Sequence, residues 1–325
     1  MKLRVAVLYG GRSGEHEVSV RSAKSIMDAM DPARYEKIEY FIDREGKWLP
    51  RPILPEPGAQ PDIDVVFPVL HGTFGEDGTV QGLLELAGLP YVGAGVMASS
   101  VAMDKEMMKR VCKERMLPIV DYVTVTRENL CADAVRATLP FPVFVKPANL
   151  GSSVGISKVH NDAELDAALA LAAQYDRKII VERGIEGREL ECAVLGNEAP
   201  VASLPCEILP SKEFYDYEDK YLLDKARTQV PADLPPERTD ELRRLAVECY
   251  RAVECEGMGR VDFLLEAATD RLYLNEINTI PGFTSISMYP KMWEHSGIGF
   301  SALIDRLIDL ALDRHKRKKA TRFTR

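Results

Sequence analysis

The length, composition and charge of the chain indicate a globular protein with more than one domain. Its 325 residues exceed the usual size of a single compact domain, and 46% of them are hydrophobic, as in proteins with a buried core. The net charge of −8 argues against general nucleic-acid binding, which needs a basic surface. Because no apolar run reaches the length of a membrane span and the N-terminus lacks a signal-peptide pattern, we expect a soluble, cytoplasmic protein.

The first hundred residues alternate between strand and helix patterns. Strands are predicted at residues 3–9, 37–42 and 64–70, with helices at 18–30 and 79–86. Strands separated by helices favour a parallel sheet, in which ligands bind where the strands end. The glycine-containing segments 10–14 and 71–75 follow two of these strands, so we expect ligand-binding loops there.

The remaining chain mixes shorter strand patterns with helices. Strands are predicted at 142–146, 154–159, 179–182, 189–195 and 200–204, a strand pair at 257–265 and 271–277, and helices at 104–115, 163–173, 237–253 and 301–313. A polar, aromatic segment at about 210–227 is long for a plain connection, which favours a lid. We predict a mixed α/β protein (α+β overall) with domains at residues 1–104, 105–186 and 187–325.

Four polar residues near the C-terminus form the strongest chemical pattern. Arg260 and Asp262 lie two apart on one predicted strand, as do Glu276 and Asn278 on the next, so each pair faces one side. A turn at residues 269–270 would bring all four together. Two carboxylates and an amide oxygen suit Mg²⁺, and a nearby arginine stabilises charge on a transferred phosphoryl group. An exposed, salt-bridged hairpin is the alternative, which the apolar flanking residues disfavour.

A glycine- and serine-rich loop at residues 151–155 follows Lys146 and its strand. Its small residues would let backbone N–H groups approach a phosphate, although such a loop alone is more often a simple turn. Lys146 and Lys105 are placed to neutralise nucleotide phosphates, which favours the phosphate-binding interpretation. Residues 182–189 form a polar bend that either contacts adenine and ribose or is a surface turn.

Three further features carry weaker signals. The six cysteines lack metal-binding spacing and indicate thiols in a reducing compartment. His16 and His71 are isolated, which is more typical of structural than of catalytic histidines. Residues 314–325 contain seven lysines or arginines and no acid, as expected for a frayed, solvated helix end, with a partner-binding tail as the alternative.

Taken together, these segments resemble the D-alanine–D-alanine ligases of the ATP-grasp superfamily. The resemblance extends from Val5 to about Leu312 and rests on ordered matches at residues 10–11, 15–19, 71–72, 75–82, 91–95, 97–99, 103–105, 145–147, 151–155, 214–217, 220–221, 259–262, 275–278 and 281–285. It implies an ATP-grasp architecture: an N-terminal parallel-sheet domain, then central and C-terminal α+β domains with ATP between them. It also implies ligation of two D-alanines through D-alanyl phosphate, releasing ADP and phosphate, for peptidoglycan precursor synthesis.

The resemblance also assigns roles to the residues that match the family's motifs. The residues implied to bind ATP are Lys105, Lys146, Ser152, Ser153, Glu182, Glu189, Lys220, Asn275 and Glu276. Those implied to bind two Mg²⁺ (or Mn²⁺) ions are Asp262, Glu276 and Asn278. The catalytic set is Glu15, Ser152, Tyr221, Arg260 and Ser287, and the substrate set is Glu15, His71, Arg260, Gly282 and Ser287. A K⁺ requirement is left open, a homodimer is implied, and neither nucleic acid nor membrane is expected as a partner.

Three alternatives remain open at this point. Relatives join D-serine or D-lactate instead. The resemblance implies that Tyr221 in the predicted lid favours an amine nucleophile over D-lactate, and product analysis with competing D-alanine, D-serine and D-lactate would decide among the three. A regulatory nucleotide-binding protein would be expected to lack a metal ligand or Arg260, and both are present. A nucleic-acid or membrane-surface binder acting through the basic tail would lose its function on deletion of residues 314–325, whereas we expect that deletion to leave ligase activity largely intact.

Overall fold

The computed structural model describes residues 2–209 and 227–322, which form three sheets and their covering helices. Its strands are β1 (Leu3–Gly10), β2 (Tyr35–Ile42), β3 (Trp48–Leu49), β4 (Val65–Pro68), β5 (Tyr122–Thr126), β6 (Val143–Pro147), β7 (Ser157–Val159), β8 (Lys178–Arg183), β9 (Gly187–Leu195), β10 (Val201–Ala202), β11 (Cys206–Leu209), β12 (Arg227–Gln229), β13 (Met258–Glu266) and β14 (Leu272–Asn278). Its helices are α1 (His16–Ala29), α2 (Thr79–Leu86), α3 (Val96–Met103), α4 (Lys105–Glu114), α5 (Ala132–Thr138), α6 (Asp162–Tyr175), α7 (Pro236–Ala252), α8 (Met288–His295) and α9 (Phe300–Lys319). Lys220, Tyr221 and all but the last residue of the predicted lid lie outside the described residues.

The first sheet has the order β3-β2-β1-β4, and β1 pairs in parallel with both β2 and β4. Residues Val5, Ala6, Val7 and Leu8 of β1 are fully buried, as expected for a parallel strand covered on both faces. The parallel N-terminal sheet predicted from the sequence is therefore confirmed. The segments that follow β1 and β4 meet at one edge of this sheet, where Ser13 donates a hydrogen bond to the carbonyl of His71 (2.6 Å).

The other two sheets are antiparallel. One has the order β5-β8-β6-β7, and the other has the order β12-β11-β9-β13-β14 with β10 paired to β9. In the larger sheet, β13 lies between β9 and β14, and the pairing of β13 with β14 is the strand pair predicted from the sequence. Helix α7 covers one face of this sheet with Leu242, Ala246 and Cys249.

The hydrophobic cores connect segments that are far apart in the sequence. Leu303 and Leu307 of α9 pack in the same core as Val5, Val7 and Phe67 of the first sheet. Met108 and Cys112 of α4 pack in the core beneath the large antiparallel sheet. The C-terminal helix therefore returns to the first sheet, while α4 contributes to the core of strands that follow much later in the chain.

The basic tail differs from the sequence prediction, because α9 continues to Lys319 rather than ending near residue 313. Arg314 donates hydrogen bonds to the carbonyls of Tyr91 (2.8 Å) and Gly93, and its guanidinium lies 4.3 Å from the Tyr91 ring centroid. Arg317 pairs with Glu256 at 2.7 Å. The tail up to Lys319 is thus a docked helix rather than a frayed end, because its cations have acceptors on distant segments.

Three short helices, α3, α5 and α8, were not predicted. Helix α3 consists of small and apolar residues and has no polar face, so its sequence lacks the usual helical periodicity. Helix α8 contains Pro290 in its first turn, a position that tolerates proline. Within residues 2–209 and 227–322, no helix has both the length and the apolar composition needed to cross a membrane.

We expect Arg314→Ala to destabilise the protein, because it removes two hydrogen bonds to backbone carbonyls and the contact with Tyr91. The free energy of unfolding in urea should fall by about 1–3 kcal/mol. The exposed Lys316 on the same helix provides the control, since Lys316→Ala should change it by less than about 0.5 kcal/mol. Equal stabilities of the two variants would contradict docking through Arg314.

Candidate active site

Three adjacent strands of the large antiparallel sheet bring polar side chains together. Asp262 on β13 lies opposite Glu191 on β9 and Glu276 on β14, and Arg260 lies opposite Asn278. Residues two apart on a strand face the same side of a sheet. The four residues singled out by their spacing therefore share one face, which also carries Glu189 and Glu191 of β9.

A bulge in β14 makes this arrangement possible. The register runs from Asp262 opposite Glu276 to Phe263 opposite Leu274, so Asn275 is an extra residue in β14. Leu274 and Ile277, three apart, consequently both lie in the core, although simple alternation would place them on opposite faces. The bulge lets β14 present Glu276 and Asn278 to the polar face while its apolar residues stay buried.

Arg260 occupies the centre of the polar face. Its Nε and Nη2 atoms donate to the two carboxylate oxygens of Asp262, each at 2.7 Å, and Nε lies 3.3 Å from Glu191 Oε2. The Asn278 amide also donates to Asp262 Oδ2, at 3.0 Å. Burial alone would lower the pKa of Arg260, but Asp262, Glu191 and Glu276 together raise it. The Arg260 guanidinium therefore stays positively charged, because the surrounding carboxylates stabilise its charge.

Two lysines flank this face: Lys105 is buried and Lys146 is half-buried. Lys105 Nζ donates to the carbonyl of Leu150 (2.7 Å) and lies 3.6 Å from Glu276 Oε2, so it links the polar face to the glycine- and serine-rich loop. Lys146 donates to Glu182 Oε2 at 2.6 Å. Burial opposes the charge on Lys146, but Glu182, Glu276 and Glu189 raise its pKa. Lys146 is therefore held beside Glu182 of β8, and Lys105 is held beside Glu276 of β14.

Lys109, which the sequence analysis missed, is a further buried cation at this site. It is fully buried, and its Nζ lies 2.9 Å from Glu182 Oε1 and donates to the carbonyl of Asn275 at 3.4 Å. Burial alone would raise the pKa of the Glu182 carboxyl, but Lys109 and Lys146 outweigh it and hold the pKa at about 2. Lys109 follows Lys105 by one helical turn, and that spacing was the available signal.

The loop at residues 151–155 contacts the N-terminal segment. Ser152 donates a hydrogen bond to Glu15 Oε1, and Ser152 and Ser153 have φ of 54° and 59°. Consecutive positive φ angles are uncommon outside glycine and are enriched at functional sites. Gly72 has a φ of 75°, which disfavours other residues, and a Cβ added there would lie 2.8 Å from Glu15 Oε2. Glu15 therefore lies between the Gly72 turn and the loop that carries Ser152.

The predicted substrate residues at the C-terminal side lie in the segment before α8. Ser287 accepts a hydrogen bond from the Thr284 backbone N–H at 3.0 Å, and a side chain at Gly282 would meet Ser287 Oγ at 3.2 Å.

His71 is buried, with Nδ1 2.9 Å from the Ile280 carbonyl and Nε2 3.3 Å from Ser22 Oγ. Burial lowers the pKa of His71. The ring is thus neutral, with both nitrogens engaged inside the protein.

The residues of the polar face fit a divalent cation by their chemistry. Asp262, Glu276 and Asn278 offer two carboxylates and an amide oxygen on neighbouring strands, and oxygen ligands are those that Mg²⁺ prefers. The Arg260 guanidinium already places positive charge against both oxygens of Asp262. Within the described residues, no three His, Cys, Asp or Glu side chains form a metal-binding group, so Asn278 would have to supply a third ligand.

Comparisons with known protein families match the chain along most of its length. The D-ala D-ala ligase C-terminus matches residues 111–309, and the D-ala D-ala ligase N-terminus matches residues 4–60 and 54–94. The chain is 80% identical to a D-alanine–D-alanine ligase of Solibacter usitatus (strain Ellin6076), with all of both chains covered. It is 51% identical to that of Thermoanaerobacter sp. (strain X514), with 98% of each covered.

Solved structures give the same result. The D-alanine–D-alanine ligase from Coxiella burnetii has a TM-score of 0.87 at 40% identity, covering 98% of this chain and 96% of its own. The VanG D-Ala:D-Ser ligase from Enterococcus faecalis has a TM-score of 0.87 at 35% identity, covering 96% and 100%. These matches confirm the predicted ATP-grasp fold, and the chain belongs to the D-alanine–D-alanine ligase family.

Proposed function

We propose that the chain joins two D-alanine molecules with ATP, through D-alanyl phosphate, and releases ADP and phosphate. The product would enter peptidoglycan precursor synthesis. The main support from the structure is the polar face of β9, β13 and β14, on which Arg260 lies among three carboxylates beside Lys105. This is the charge pattern needed to hold a polyphosphate and stabilise phosphoryl transfer.

The chemistry explains why phosphate must be transferred first. A free carboxylate is a poor acyl donor because oxide is a poor leaving group, whereas phosphate leaves readily from an acyl phosphate. The carboxylate of the first D-alanine would attack the γ-phosphorus of ATP, and the amine of the second D-alanine would then displace phosphate. Arg260 would stabilise the transferring phosphoryl group and afterwards the oxyanion of the tetrahedral intermediate.

Asp262, Glu276 and Asn278 would hold two Mg²⁺ (or Mn²⁺) ions. When bound, the ions would offset the negative charge of the β- and γ-phosphates. Asp262 Oδ1 accepts one hydrogen bond from Arg260 and keeps a second lone pair, so Asp262 would ligate a metal without releasing Arg260. Dependence on K⁺ is a separate proposal, and comparing activity in K⁺ and Na⁺ salts would test it.

The nucleotide would lie between the polar face and the glycine- and serine-rich loop. We propose that the residues that bind ATP are Lys105, Lys146, Ser152, Ser153, Glu182, Glu189, Lys220, Asn275 and Glu276. Lys105 supports this placement because it contacts both Glu276 and the Leu150 carbonyl. Lys109 would act as a positioning residue by fixing Glu182 and the Asn275 carbonyl.

The substrate site would use residues from both ends of the chain. Glu15 would bind the ammonium of the first D-alanine, and Ser287 with Gly282 would hold a substrate carboxylate. The hydrogen bond from Ser152 to Glu15 supports a link between substrate and nucleotide loops. Tyr221, outside the described residues, would extend that link to the lid and help to keep water from the acyl phosphate.

The organisation of the chain completes the proposal. We propose domains at residues 1–104, 105–186 and 187–325, with the lid at about 210–227 in the last. A homodimer in the cytoplasm is expected from the resemblance, and sedimentation velocity would test the dimer. His71 would support the substrate site indirectly, because both of its ring nitrogens are hydrogen-bonded to other protein groups.

A D-serine-joining activity is the second candidate, because the VanG D-Ala:D-Ser ligase has the same TM-score as the D-alanine–D-alanine ligase of Coxiella burnetii. We expect D-alanyl-D-alanine to dominate when ATP is supplied with equal D-alanine, D-serine and D-lactate. Mass spectrometry of the products measures this directly. A majority of the mixed dipeptide with D-serine would overturn the proposed specificity while leaving the ligase chemistry intact.

ADP release should require both D-alanine and Mg²⁺, and Glu276→Gln should lower kcat by about a hundredfold or more because a charged metal ligand is lost. A coupled assay for ADP measures both effects. Glu248→Gln provides the control, since Glu248 lies on the exposed side of α7 and pairs with Arg244 at 2.9 Å. Turnover near that of the unmodified enzyme in Glu276→Gln would refute the metal assignment.

Lys109→Met tests the proposed positioning of the nucleotide. The substitution leaves the buried Glu182 with Lys146 as its remaining lysine partner, so we expect the KM for ATP to rise by about tenfold. The KM for D-alanine should change little. Lys113→Met, on the exposed side of the same helix, is the matched control. An equal rise in both KM values would indicate a general structural role for Lys109 instead.

A further inference from the structure

Ile280 lies just before Gly282 and Ser287, the proposed carboxylate-binding residues. Both its backbone N–H and its carbonyl form hydrogen bonds with the N-terminal part of the chain. Its N–H donates to Glu76 Oε1 (3.2 Å), and its carbonyl lies 2.9 Å from His71 Nδ1. A carbonyl can only accept, so His71 Nδ1 carries the proton. Ile280 is buried and two residues before Gly282. Its position therefore limits where the proposed carboxylate-binding residues can lie.

The other ring nitrogen of His71 extends the contact. Nε2 is left as an acceptor, so Ser22 Oγ donates to it at 3.3 Å and accepts from the Phe283 backbone N–H at 3.3 Å. Phe283 is also buried, with its ring 6.1 Å from that of Phe67 in the first sheet. The segment from Ile280 to Phe283 is thus held from both sides of Gly282 by residues more than 200 positions earlier.

The Glu76 carboxylate also holds the opposite half of the proposed substrate site. Its Oε2 accepts from the Gly72 N–H at 2.6 Å, and Gly72 lies so close to Glu15 that a Cβ added to it would be 2.8 Å from Glu15 Oε2. One carboxylate therefore bridges the turn that supports the ammonium-binding Glu15 and the segment that carries Gly282. Burial raises the pKa of Glu76 to about 8, with Glu15 adding to the rise and Arg260 opposing it. Glu76 thus lies within the electrostatic reach of both groups.

We propose that Glu76, with His71 and Ser22, is a positioning residue that sets the separation of the two halves of the D-alanine site. The inference rests on the proposed function. Glu76 would touch no substrate; it would fix Gly72 on one side and Ile280 on the other. The predicted ATP residues Lys105, Lys146 and Glu182 make their own contacts elsewhere, so ATP binding should be independent of Glu76.

Asp77 offers a matched control in the same loop. Its carboxylate also accepts two backbone N–H groups, from Phe74 (2.8 Å) and Thr79 (3.0 Å), but both lie within its own segment. Asp77→Asn keeps one acceptor oxygen and so removes one of its two local hydrogen bonds, whereas Glu76→Ala removes both of the bonds that Glu76 accepts. Only Glu76→Ala removes a contact with the C-terminal segment. Ser22→Ala is a second, smaller change that removes the link from His71 to Phe283.

Steady-state kinetics at about pH 9, above the raised pKa of Glu76, provide the first test. For Glu76→Ala we expect kcat/KM for D-alanine to fall by about 10–100-fold, with the KM for ATP within about twofold of wild type. Ser22→Ala should change in the same direction by less, Glu76→Gln should recover part of the loss, and Asp77→Asn should match wild type. Equal effects on both substrates, or an effect of Asp77→Asn as large as that of Glu76→Ala, would overturn the proposal.

Hydrogen exchange gives a readout that does not depend on turnover. In the unliganded enzyme, Glu76→Ala and Ser22→Ala should speed exchange in the peptide covering residues 279–287, and Asp77→Asn should not. Unchanged exchange in both of the first two variants would refute the bridge. Failure of the wild-type enzyme to release ADP with D-alanine would refute the proposed function instead, and the exchange result would then still decide whether the bridge exists.

Discussion

The pairing of β13 with β14 is the constraint on which the site depends. Seven residues of β14 must serve a hydrophobic core on one face and a charged site on the other. Regular alternation would send either Leu274 or Ile277 to the polar face. The extra residue at Asn275 removes that conflict, because it shifts the phase of the strand between them. Burial of apolar side chains and presentation of Glu276 and Asn278 are therefore satisfied by the same local distortion.

Charge balance is the second constraint. Removing charged side chains from water costs several kcal/mol each unless partners compensate. The buried and half-buried cations of the site satisfy this condition, since Arg260 pairs with Asp262, and both Lys109 and Lys146 pair with Glu182. These pairs also hold the donors in place before any ligand arrives. Preorganised charge of this kind stabilises a transition state at little cost of reorganisation.

The sequence predicted the features that depend on local pattern. Strand alternation placed Arg260 and Asp262 on one face, and the ordered motifs led to the ATP-grasp fold, the family and the ligase activity, all confirmed by the comparisons. The roles of the individual site residues and the domain boundaries stay predictions. Glu191 was missed although its spacing of two from Glu189 on the same strand was visible.

Features that depend on distant contacts could not be predicted in this way. The spacing of Lys109 from Lys105 indicates a shared face of α4 but not burial, because a lysine on a helix rich in charged residues is normally solvated. The burial of Lys109 follows from the packing of α4 beneath the large sheet. The end of α9 was expected to fray because residues 314–325 contain no acid, yet Arg314 donates hydrogen bonds to the carbonyls of Tyr91 and Gly93. In both cases the environment of the side chain is determined by contacts with residues that are distant in the sequence.

The same reasoning explains how the N-terminal sheet can contribute to a reaction centred on the C-terminal one. Its parallel strands end in loops that carry Glu15 and Gly72, but no sheet hydrogen bond joins these loops to β14. Helix α9 brings the two regions together through apolar packing, which is not directional. Hydrogen bonds at Ile280 and Phe283 are directional, so they can fix the relative position of the two regions, which apolar packing alone does not determine. Hydrophobic burial thus brings the halves of the site together, and a few buried polar contacts determine their exact spacing.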